Sequence, residues 1–319
     1  MLDAVTLDQI RTFIAAATEG SFSAAGRKLR RAQSAVSQTL AHLEDQLGVT
    51  LFDRSRRLPR LTEHGHALLT HARAVAGEMD LLKAHAKGLS SGLEPDLSVV
   101  IDVMFPMSIV TAAVTAFHAN FPLTPLRLYV ESLGAVIQPI LDGRCAFGVL
   151  GSLPLVPPEF TKEPLLDVHM VHVVAPTHPL AAYKRRIPAI ELANHIQLVL
   201  TDRSSLSEGR DLGVMSPRTW RLADLGAKHA FLRAGLGWGG MPFELVRSDI
   251  ARELLVQIAA EDTPSGGFAL AMSAVYRSHA PPGPAGRWFI DCLKRHAELS
   301  PLRRSLNSQK TPKRRRKKR

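Results

Sequence analysis

A group of uncharged polar side chains near residue 35 is spaced to lie on the exposed face of one helix. Its members are Gln33, Ser34, Ser37, Gln38 and Thr39. Amide and hydroxyl groups on the first turns of a helix can hydrogen-bond to base edges in the major groove of double-stranded DNA. Ordinary exposed helices carry more Glu and Lys at such positions. The pattern therefore predicts a base-reading helix.

Arginines lie on both sides of this polar helix. Residues 49–61 predict a two-stranded wing with a basic tip, and two further arginines come directly before the helix. Guanidinium groups in such places suit phosphates and the minor groove. The predicted DNA-contacting arginines are Arg30, Arg31, Arg54, Arg56 and Arg57. The alternative is a solvated basic loop on a helical protein-interaction domain.

Three helices must position the polar face. Apolar spacing predicts a first helix from about 6 to 18, and Ser21 or Ser23 can cap a short second helix. The third helix is expected to begin near Gln33 and to end at Gly48. A short helix, a tight turn and a longer helix make a helix-turn-helix.

Five short segments in this region resemble a known family in order and without gaps. They are residues 21–25, 33–38, 43–48, 51–54 and 61–65, reading SFSAA, QSAVSQ, LEDQLG, LFDR and LTEHG. The chain resembles the LysR-type transcriptional regulators. That resemblance implies base contacts by Gln33, Ser34, Ser37 and Gln38, and DNA-backbone contacts by Arg54, Arg56 and Arg57. Arg30 and Arg31 stand where the family varies.

From residue 62 to about 93 the apolar pattern changes to heptads. The seam consists of Leu68, Ala72, Val75, Met79, Leu82, Ala86 and Leu89. Seven-residue spacing sustained over three heptads predicts pairing with a second helix and hence a homodimer with two reading heads. Packing of this helix on its own domain is the alternative. The resemblance implies dimerisation through this segment and further assembly into a homotetramer.

Beyond residue 93, short apolar runs alternate with amphipathic stretches. Strands are predicted at 97–103, 126–130, 147–150, 168–174, 197–200 and 254–258, and helices near 107–119, 133–142, 222–234 and 284–297. This alternation indicates an α/β domain with largely parallel sheets. Its length and the family resemblance imply two lobes of the periplasmic-binding-protein type with a small-molecule effector between them.

The predicted organisation has four parts. Residues 1–62 form an all-α winged helix-turn-helix, and 63–92 form the dimerisation helix. Residues 93–299 form the effector-binding domain, with lobe one at 93–163 and 270–299 and lobe two at 164–269. Residues 300–319 form a basic tail that we expect to be disordered, since the eight positive charges within 310–319, without an acid, have nothing to bury. Removing those eight charges from the net charge of +11 leaves +3.

Ligands of open α/β sheets bind beyond the carboxyl ends of strands. The side chains at those ends are Met104, Phe105, Ser132, Ser152, Thr201, Asp202, Arg203 and Trp238. Many family members carry Ser or Thr after the first strand, where this chain has Met104 and Phe105, so a more apolar effector is expected. Arg203 could pair with an acid group. For each of these residues, packing alone is an equal alternative.

Other signals exclude several classes of function. The glycines at 235–240 match a dinucleotide-binding spacing, but a helix precedes them where a strand is required, so a helix end that enters a strand is the preferred interpretation. Neither a metal-ligand cluster nor a catalytic motif accompanies the scattered histidines, so no cofactor, metal or enzymatic activity is expected. Cys145 and Cys292 are expected to be free buried thiols. The sequence has neither a membrane span nor a signal peptide, which predicts a cytoplasmic protein.

The function predicted is sequence-specific transcription regulation. In this hypothesis an effector changes the angle between the lobes, and this change shifts the relative placement of the paired reading heads. DNA bending then changes, and with it the contact with RNA polymerase. One alternative is a solute-binding or enzymatic α/β protein with an accessory helical domain. Another is a nucleoid-type DNA binder without an effector.

Overall fold

The chain divides into an N-terminal unit, Met1–Ser91, and a C-terminal unit, Gly92–Arg319. The computed structural model describes residues 5–55, 58–151, 156–202, 204, 206, 209, 211–264 and 266–299, with backbone only at 84 and 85. The basic tail predicted at 300–319 lies outside the described residues.

Capping residues set the ends of the first three helices. These are α1 (Leu7–Glu19), α2 (Phe22–Leu29) and α3 (Gln33–Leu47). The Thr6 hydroxyl and the Gln9 backbone and side chain form a reciprocal capping box, and the Ser21 hydroxyl caps α2. Gly20 and Gly48 close α1 and α3 at φ of 67° and 70°, a left-handed conformation that glycine adopts without steric cost. The predicted helix-turn-helix and its start and stop residues are confirmed.

The inner face of α3 joins the other helices and the wing in one core. Val36, Leu40 and Leu43 are buried there, together with Phe13 and Phe52. The rings of Phe13 and Phe52 meet edge to face with their centroids 5.8 Å apart. Burying each large apolar side chain contributes about 1.5–3 kcal/mol, so this cluster fixes the orientation of α3.

A short antiparallel pair of strands, with two residues in each strand, and a long helix complete the N-terminal unit. Strands β1 (Phe52–Asp53) and β2 (Arg60–Leu61) pair antiparallel. Helix α4 (Glu63–Ser90) follows at once, with the Thr62 hydroxyl accepting the N–H of Gly65 at 3.0 Å. The predicted wing and long helix are both present.

The heptad seam of α4 changes environment along its length. Leu68 and Ala72 pack on the core of the N-terminal unit. Val75, Leu82 and Leu89 are 49%, 61% and 41% exposed. Packing on its own domain therefore accounts for the beginning of the seam, whereas Val75, Leu82 and Leu89 stay exposed in the part of the chain that the structure describes.

The C-terminal unit is built on one mixed sheet and a smaller parallel pair. The large sheet contains β3 (Leu97–Asp102), β4 (Leu126–Glu131), β5 (Phe147–Gly151), β6 (Phe160–Val174), β9 (Gly239–Pro242), β10 (Val256–Ile258) and β11 (Phe268–Arg277). Its order is β10-β6-β11-β5-β3-β4, with β9 also paired to β6. The smaller pair joins β7 (Gln197–Leu200) and β8 (Thr219–Leu222).

Helices and short turns cover these sheets. They are α5 (Met107–Asn120), α6 (Gln138–Leu141), α7 (Ala189–Ala193), α8 (Leu225–Arg233), α9 (Phe243–Ala251) and α10 (Pro284–Leu299), with 3-10 turns at Leu133–Val136 and Pro179–Ala182. The helix predicted at 133–142 is thus a 3-10 turn followed by the single turn of α6. Within the described residues, no helix is long and apolar enough to cross a membrane.

The prediction of largely parallel sheets was wrong. Among the described strands, β3–β4, β3–β5 and β7–β8 are parallel, whereas β6 and β11 pair antiparallel to each other and to their other neighbours. Strands β8 and β11 were not predicted. Small residues and charges interrupt the apolar pattern of these strands. Their pairing in a sheet depends on strands that are far away in sequence.

The two long strands cross the predicted lobe boundaries. Those boundaries, 163/164 and 269/270, fall inside β6 and β11, which pair from Phe160 to Met170. Strand β6 supplies Val168 and Met170 to the core under α5 and α10, and Val171 and Val173 to the core under α8 and α9. One strand thus connects both halves of the unit.

A DNA-reading helix and a buried ligand cavity

The predicted base-reading side chains lie at the solvent-facing start of α3. Gln33, Ser34 and Gln38 are exposed, while Ser37 and Thr39 are half-buried. The Thr39 hydroxyl donates to the backbone oxygen of Ala35 at 2.8 Å, so its hydrogen is used inside the helix. No hydrogen bond to another described residue engages the other four side chains. They remain available to a partner.

The predicted DNA-contacting arginines fall into different environments. Arg30 is exposed and closes α2 in the left-handed region, at φ of 55°. Arg31 donates two hydrogen bonds to Asp8, at 2.7 and 2.8 Å, which ties the turn to α1. Arg54 donates to Glu44 at 2.6 Å. Arg56 and Arg57 lie outside the described residues.

Glu44 is a positioning residue that sequence reasoning missed. Its Oε1 accepts the backbone N–H groups of Leu51 at 2.7 Å and Phe52 at 3.0 Å, and its Oε2 binds Arg54. The guanidinium of Arg54 also lies 5.5 Å from the centre of the Phe22 ring. One carboxylate on α3 therefore fixes the strand that enters the wing. In the sequence, the one signal for this role was the position of the acidic Glu44 shortly before Leu47 and Gly48 at the end of the helix.

The effector candidates named from strand ends are only partly brought together. Met104 lines a cavity of about 480 Å³ in the C-terminal unit. Phe105 is 2% exposed and Trp238 fully buried in separate core clusters, and the Trp238 indole donates to the oxygen of Leu192 at 3.2 Å. Neither ring is among the residues that line this cavity.

Three further candidates, Ser132, Thr201 and Asp202, form hydrogen bonds between two loops and are not part of the cavity lining. The Ser132 hydroxyl donates to the oxygen of Thr201 at 2.9 Å, and the Asp202 carboxylate accepts the N–H of Ala135 at 2.7 Å. Gly134 lies in the loop after β4, and Ser204 lies in the loop after β7. A side chain at Gly134 would clash with the second of these loops, since its Cβ would lie 2.5 Å from the Ser204 hydroxyl. Hydrogen bonds thus hold the loops after β4 and β7 together. Ser152 and Arg203 lie outside the described residues.

The wall of the cavity is mainly apolar. It is formed by Met104, Leu133, Met170, Leu198, Val199, Leu200, Leu212, Met215, Phe268 and Leu270. Polar side chains interrupt it at Asp102, His172, Gln197, Lys228, Asp262 and Thr263. The amide of Gln197 is used internally, since it donates to Gly213 and accepts from Met215 and Ser216. A large apolar pocket with few polar groups is typical of a small-molecule site.

Three of the polar lining residues are buried ionisable groups that the sequence did not single out. Asp102, His172 and Lys228 are 4%, 6% and 4% exposed. Burial raises the pKa of Asp102 to about 6, although backbone N–H groups of Met104, Gly151 and Leu133 oppose the rise. Burial lowers the pKa of His172 to about 4, assisted by the charge of Lys228, and lowers the pKa of Lys228 to about 8.

The glycines at 235–240 allow a close backbone approach at this cavity. A Cβ at Gly237 would lie 2.4 Å from the oxygen of Ile196, and one at Gly239 would lie 2.7 Å from the oxygen of Leu198. Gly235 follows α8 at φ of 76°. The run therefore links a helix to a strand packed on β7, which is the interpretation preferred over a dinucleotide loop.

Family models match both units of the chain. The model of the bacterial regulatory helix-turn-helix protein, lysR family, matches residues 7–66. The model of the LysR substrate binding domain matches residues 90–298, more than half of the chain. The protein belongs to the LysR family. It is a LysR-type DNA-binding transcriptional regulator with an effector-binding domain.

Relatives and solved structures agree with this membership. The chain is 27% identical to the HTH-type transcriptional regulator AceR of Acinetobacter baumannii over 91% of its own length and 97% of that protein. It is 30% identical to a probable hydrogen peroxide-inducible genes activator of Mycobacterium leprae, over 80% and 84% of the two chains. The structure of the Corynebacterium glutamicum OxyR C206 mutant matches with a TM-score of 0.53 at 25% identity, covering 97% and 98%.

The two cysteines of this LysR regulator do not favour thiol chemistry. Cys145 and Cys292 are both buried and free, as predicted. Burial raises the pKa of the Cys145 thiol to about 11, and the thiolate is the form that reacts with oxidants. A peroxide response through Cys145 is therefore disfavoured.

The buried Asp102 and His172 predict compensating effects of pH on stability. With its pKa raised from 3.8 to about 6, Asp102 stabilises the fold as pH falls from about 6 to 4. With its pKa lowered from 6.5 to about 4, His172 destabilises it in nearly the same window, since only the unfolded chain takes up the proton. Each contribution is about 3 kcal/mol. The two nearly cancel.

Single substitutions should uncover these opposing slopes. We expect the free energy of unfolding of the Asp102→Asn variant to fall as pH drops from 6.5 to 4, and that of His172→Gln to rise between pH 6 and 4. Urea unfolding of the C-terminal unit at a series of pH values measures both. Equal slopes in the two variants would contradict the assignment.

Proposed function

We propose that this regulator reads promoter DNA through the start of α3 and binds its effector in the 480 Å³ cavity of the C-terminal unit. The observation that carries the first half is the uncovered polar face of Gln33, Ser34, Ser37 and Gln38. The second half rests on a cavity whose wall is apolar and whose few polar groups are buried. Promoter binding by a bacterial regulator takes place in the cytoplasm, where RNA polymerase is available for contact.

Mobility shift on the protein's own upstream region tests DNA reading. We expect a shift that prefers this DNA over a scrambled sequence and weakens steeply with salt, because phosphate contacts release counterions. A shift without sequence preference would favour the nucleoid-type alternative. No shift at any salt concentration would contradict regulation of this region.

Substitutions should separate base reading from DNA positioning. Gln33→Ala and Ser37→Ala should lower the preference for operator over scrambled DNA, by about 1–3 kcal/mol for a lost base contact. Arg56→Ala should weaken both DNAs alike and reduce the salt slope by about one. Quantitative mobility shifts at three salt concentrations measure these effects. Parallel weakening by all three variants would contradict the division of roles.

We further propose that α4 pairs with α4 of a second copy. The support is the exposed part of the heptad seam, at Val75, Leu82 and Leu89. A paired helix places two reading heads on one operator, and further assembly of dimers into tetramers would extend the contact.

A charge placed in the seam should separate the two copies. Leu82→Glu puts a carboxylate at the most exposed seam position and is expected to shift the protein to monomers. Lys87→Glu, an exposed position on the outer side of the helix next to seam residue Ala86, is the matched control and should leave the mass unchanged. Light scattering after gel filtration measures both. Dimers that survive Leu82→Glu would place the interface elsewhere.

A further inference from the structure

Lys228 is a buried cation that faces the cavity with unused donors. It lies on α8 and is 4% exposed. Its ammonium donates to the oxygen of Gly240 at 2.7 Å. An ammonium has three N–H donors, and no second acceptor for it is found in the part of the chain that the structure describes. Because Lys228 also lines the cavity, its remaining donors are available to a ligand there.

His172 adds a second polar group beside the ammonium. It lies on β6 opposite Gly240, and its ring lies within 4 Å of where a Cβ of that glycine would be. Its ring nitrogens have no hydrogen-bond partner among the described residues. The charge of Lys228 helps to keep the imidazole neutral, with a lowered pKa. A neutral imidazole can donate one hydrogen bond to a group that the ammonium also binds.

The surroundings limit the ligand to a single negative charge. The acids of the lining are Asp102, whose carboxylate already accepts three backbone N–H groups, and Asp262. Either would repel a second anionic group. Three of the described strands pack against α8: β7 carries no ionisable residue, Arg221 of β8 pairs with Asp211, and β6 contributes His172 to the lining. Among the described residues of the lining, Lys228 is therefore the cation available to a ligand, and most of the remaining wall is apolar.

We infer that the effector is a lipophilic monocarboxylate, with its carboxylate on Lys228 and His172 and its apolar body against the methionines and leucines of the cavity. This assignment rests on the proposed effector site and names its ligand class. A carboxylate accepting charge-assisted hydrogen bonds would satisfy the donors that the empty site leaves unused. The methionines Met104, Met170 and Met215 adapt to apolar bodies of different shape.

Matched probe pairs test the inference on the full-length protein. Octanoate, 4-phenylbutyrate and hexanoate are compared with octanamide, 4-phenylbutanamide and hexanamide by calorimetry and thermal shift. We expect at least one carboxylate to bind roughly tenfold to a hundredfold more tightly than its amide, as a charge-assisted bond requires. In Lys228→Gln, which can still donate to Gly240, that ratio should fall to near one.

The pH dependence gives a second readout that a structural role would not produce. Carboxylate affinity should decline about tenfold per pH unit above pH 8, as Lys228 loses its proton, and the amide should show no such decline. His172 stays neutral and Asp102 stays ionised over this range, given their shifted pKa values. Lys228→Met should lack the decline.

Several results would overturn the inference. They are equal binding of acid and amide, an acid preference that survives in Lys228→Gln, or no binding by any of the acids. If neutral compounds from a wider library then alter the mobility shift, the effector site stands and only its ligand class is wrong. If no compound shifts the protein's melting temperature or its DNA binding, the proposed effector function fails as well.

Discussion

Replacing Gly65 by alanine is expected to destabilise the N-terminal unit by about 3 kcal/mol and to abolish operator binding, since over-packing against fixed backbone costs about that much. Gly65 lies in the first turn of α4. A Cβ there would be 2.2 Å from the oxygen of Leu51 and 2.9 Å from the Leu61 side chain. The oxygen cannot move away freely. It accepts the N–H of Thr62 at 3.0 Å, and the N–H of Leu51 is itself held by Glu44.

The same helix offers a matched control at Gly77. A Cβ at Gly77 would meet nothing within 4 Å. Gly77→Ala should therefore stabilise α4 by about 0.5–1 kcal/mol, because alanine loses less backbone entropy than glycine on forming a helix. Thermal unfolding and mobility shifts compare the two variants. A Gly65→Ala protein as stable as Gly77→Ala would show that the junction of wing and helix can relax.

The helix ends of the reading unit could be predicted because their causes are local. Ser21, Gly48 and Thr62 each act on backbone groups within a few residues. The glycine run at 235–240 was also interpreted correctly, since the preceding helical pattern excluded a dinucleotide loop. Local patterning thus identified both modules, and one of the strand-end candidates, Met104, lines the proposed effector cavity.

The composition of the cavity could not be predicted because it depends on long-range pairing. Lys228 lies within a helix and His172 within a strand, so neither stands at a strand end, where ligand residues were sought. They meet because β9 pairs with β6 and places Gly240 opposite His172. Trp238 was expected at the site from its position after the glycines, but it is fully buried beside α7. A residue's distance from a strand end does not determine which side of the chain it faces.

Replacing Lys228 by methionine is expected to make the C-terminal unit more stable at pH 7. Burial lowers the pKa of this lysine from 10.5 to about 8, so keeping it charged in the fold costs about 3 kcal/mol. Methionine removes the charge and nearly preserves the volume, while the lost charge-assisted hydrogen bond to Gly240 offsets about 2 kcal/mol. We expect a net gain of about 1 kcal/mol, measured by urea unfolding without ligand.

The sign of this effect distinguishes Lys228 from an ordinary structural lysine. The advantage of Lys228→Met should shrink between pH 8 and 10.5, because the folded wild-type protein then releases the costly proton before the unfolded chain does. Lys294→Met is the control: Lys294 is paired with Glu163, so its loss should reduce stability. A Lys228→Met protein less stable than wild type would mean that the ammonium holds the fold together. A more stable one would show that the fold retains an unfavourable buried charge at the ligand cavity, where a bound anion would neutralise it.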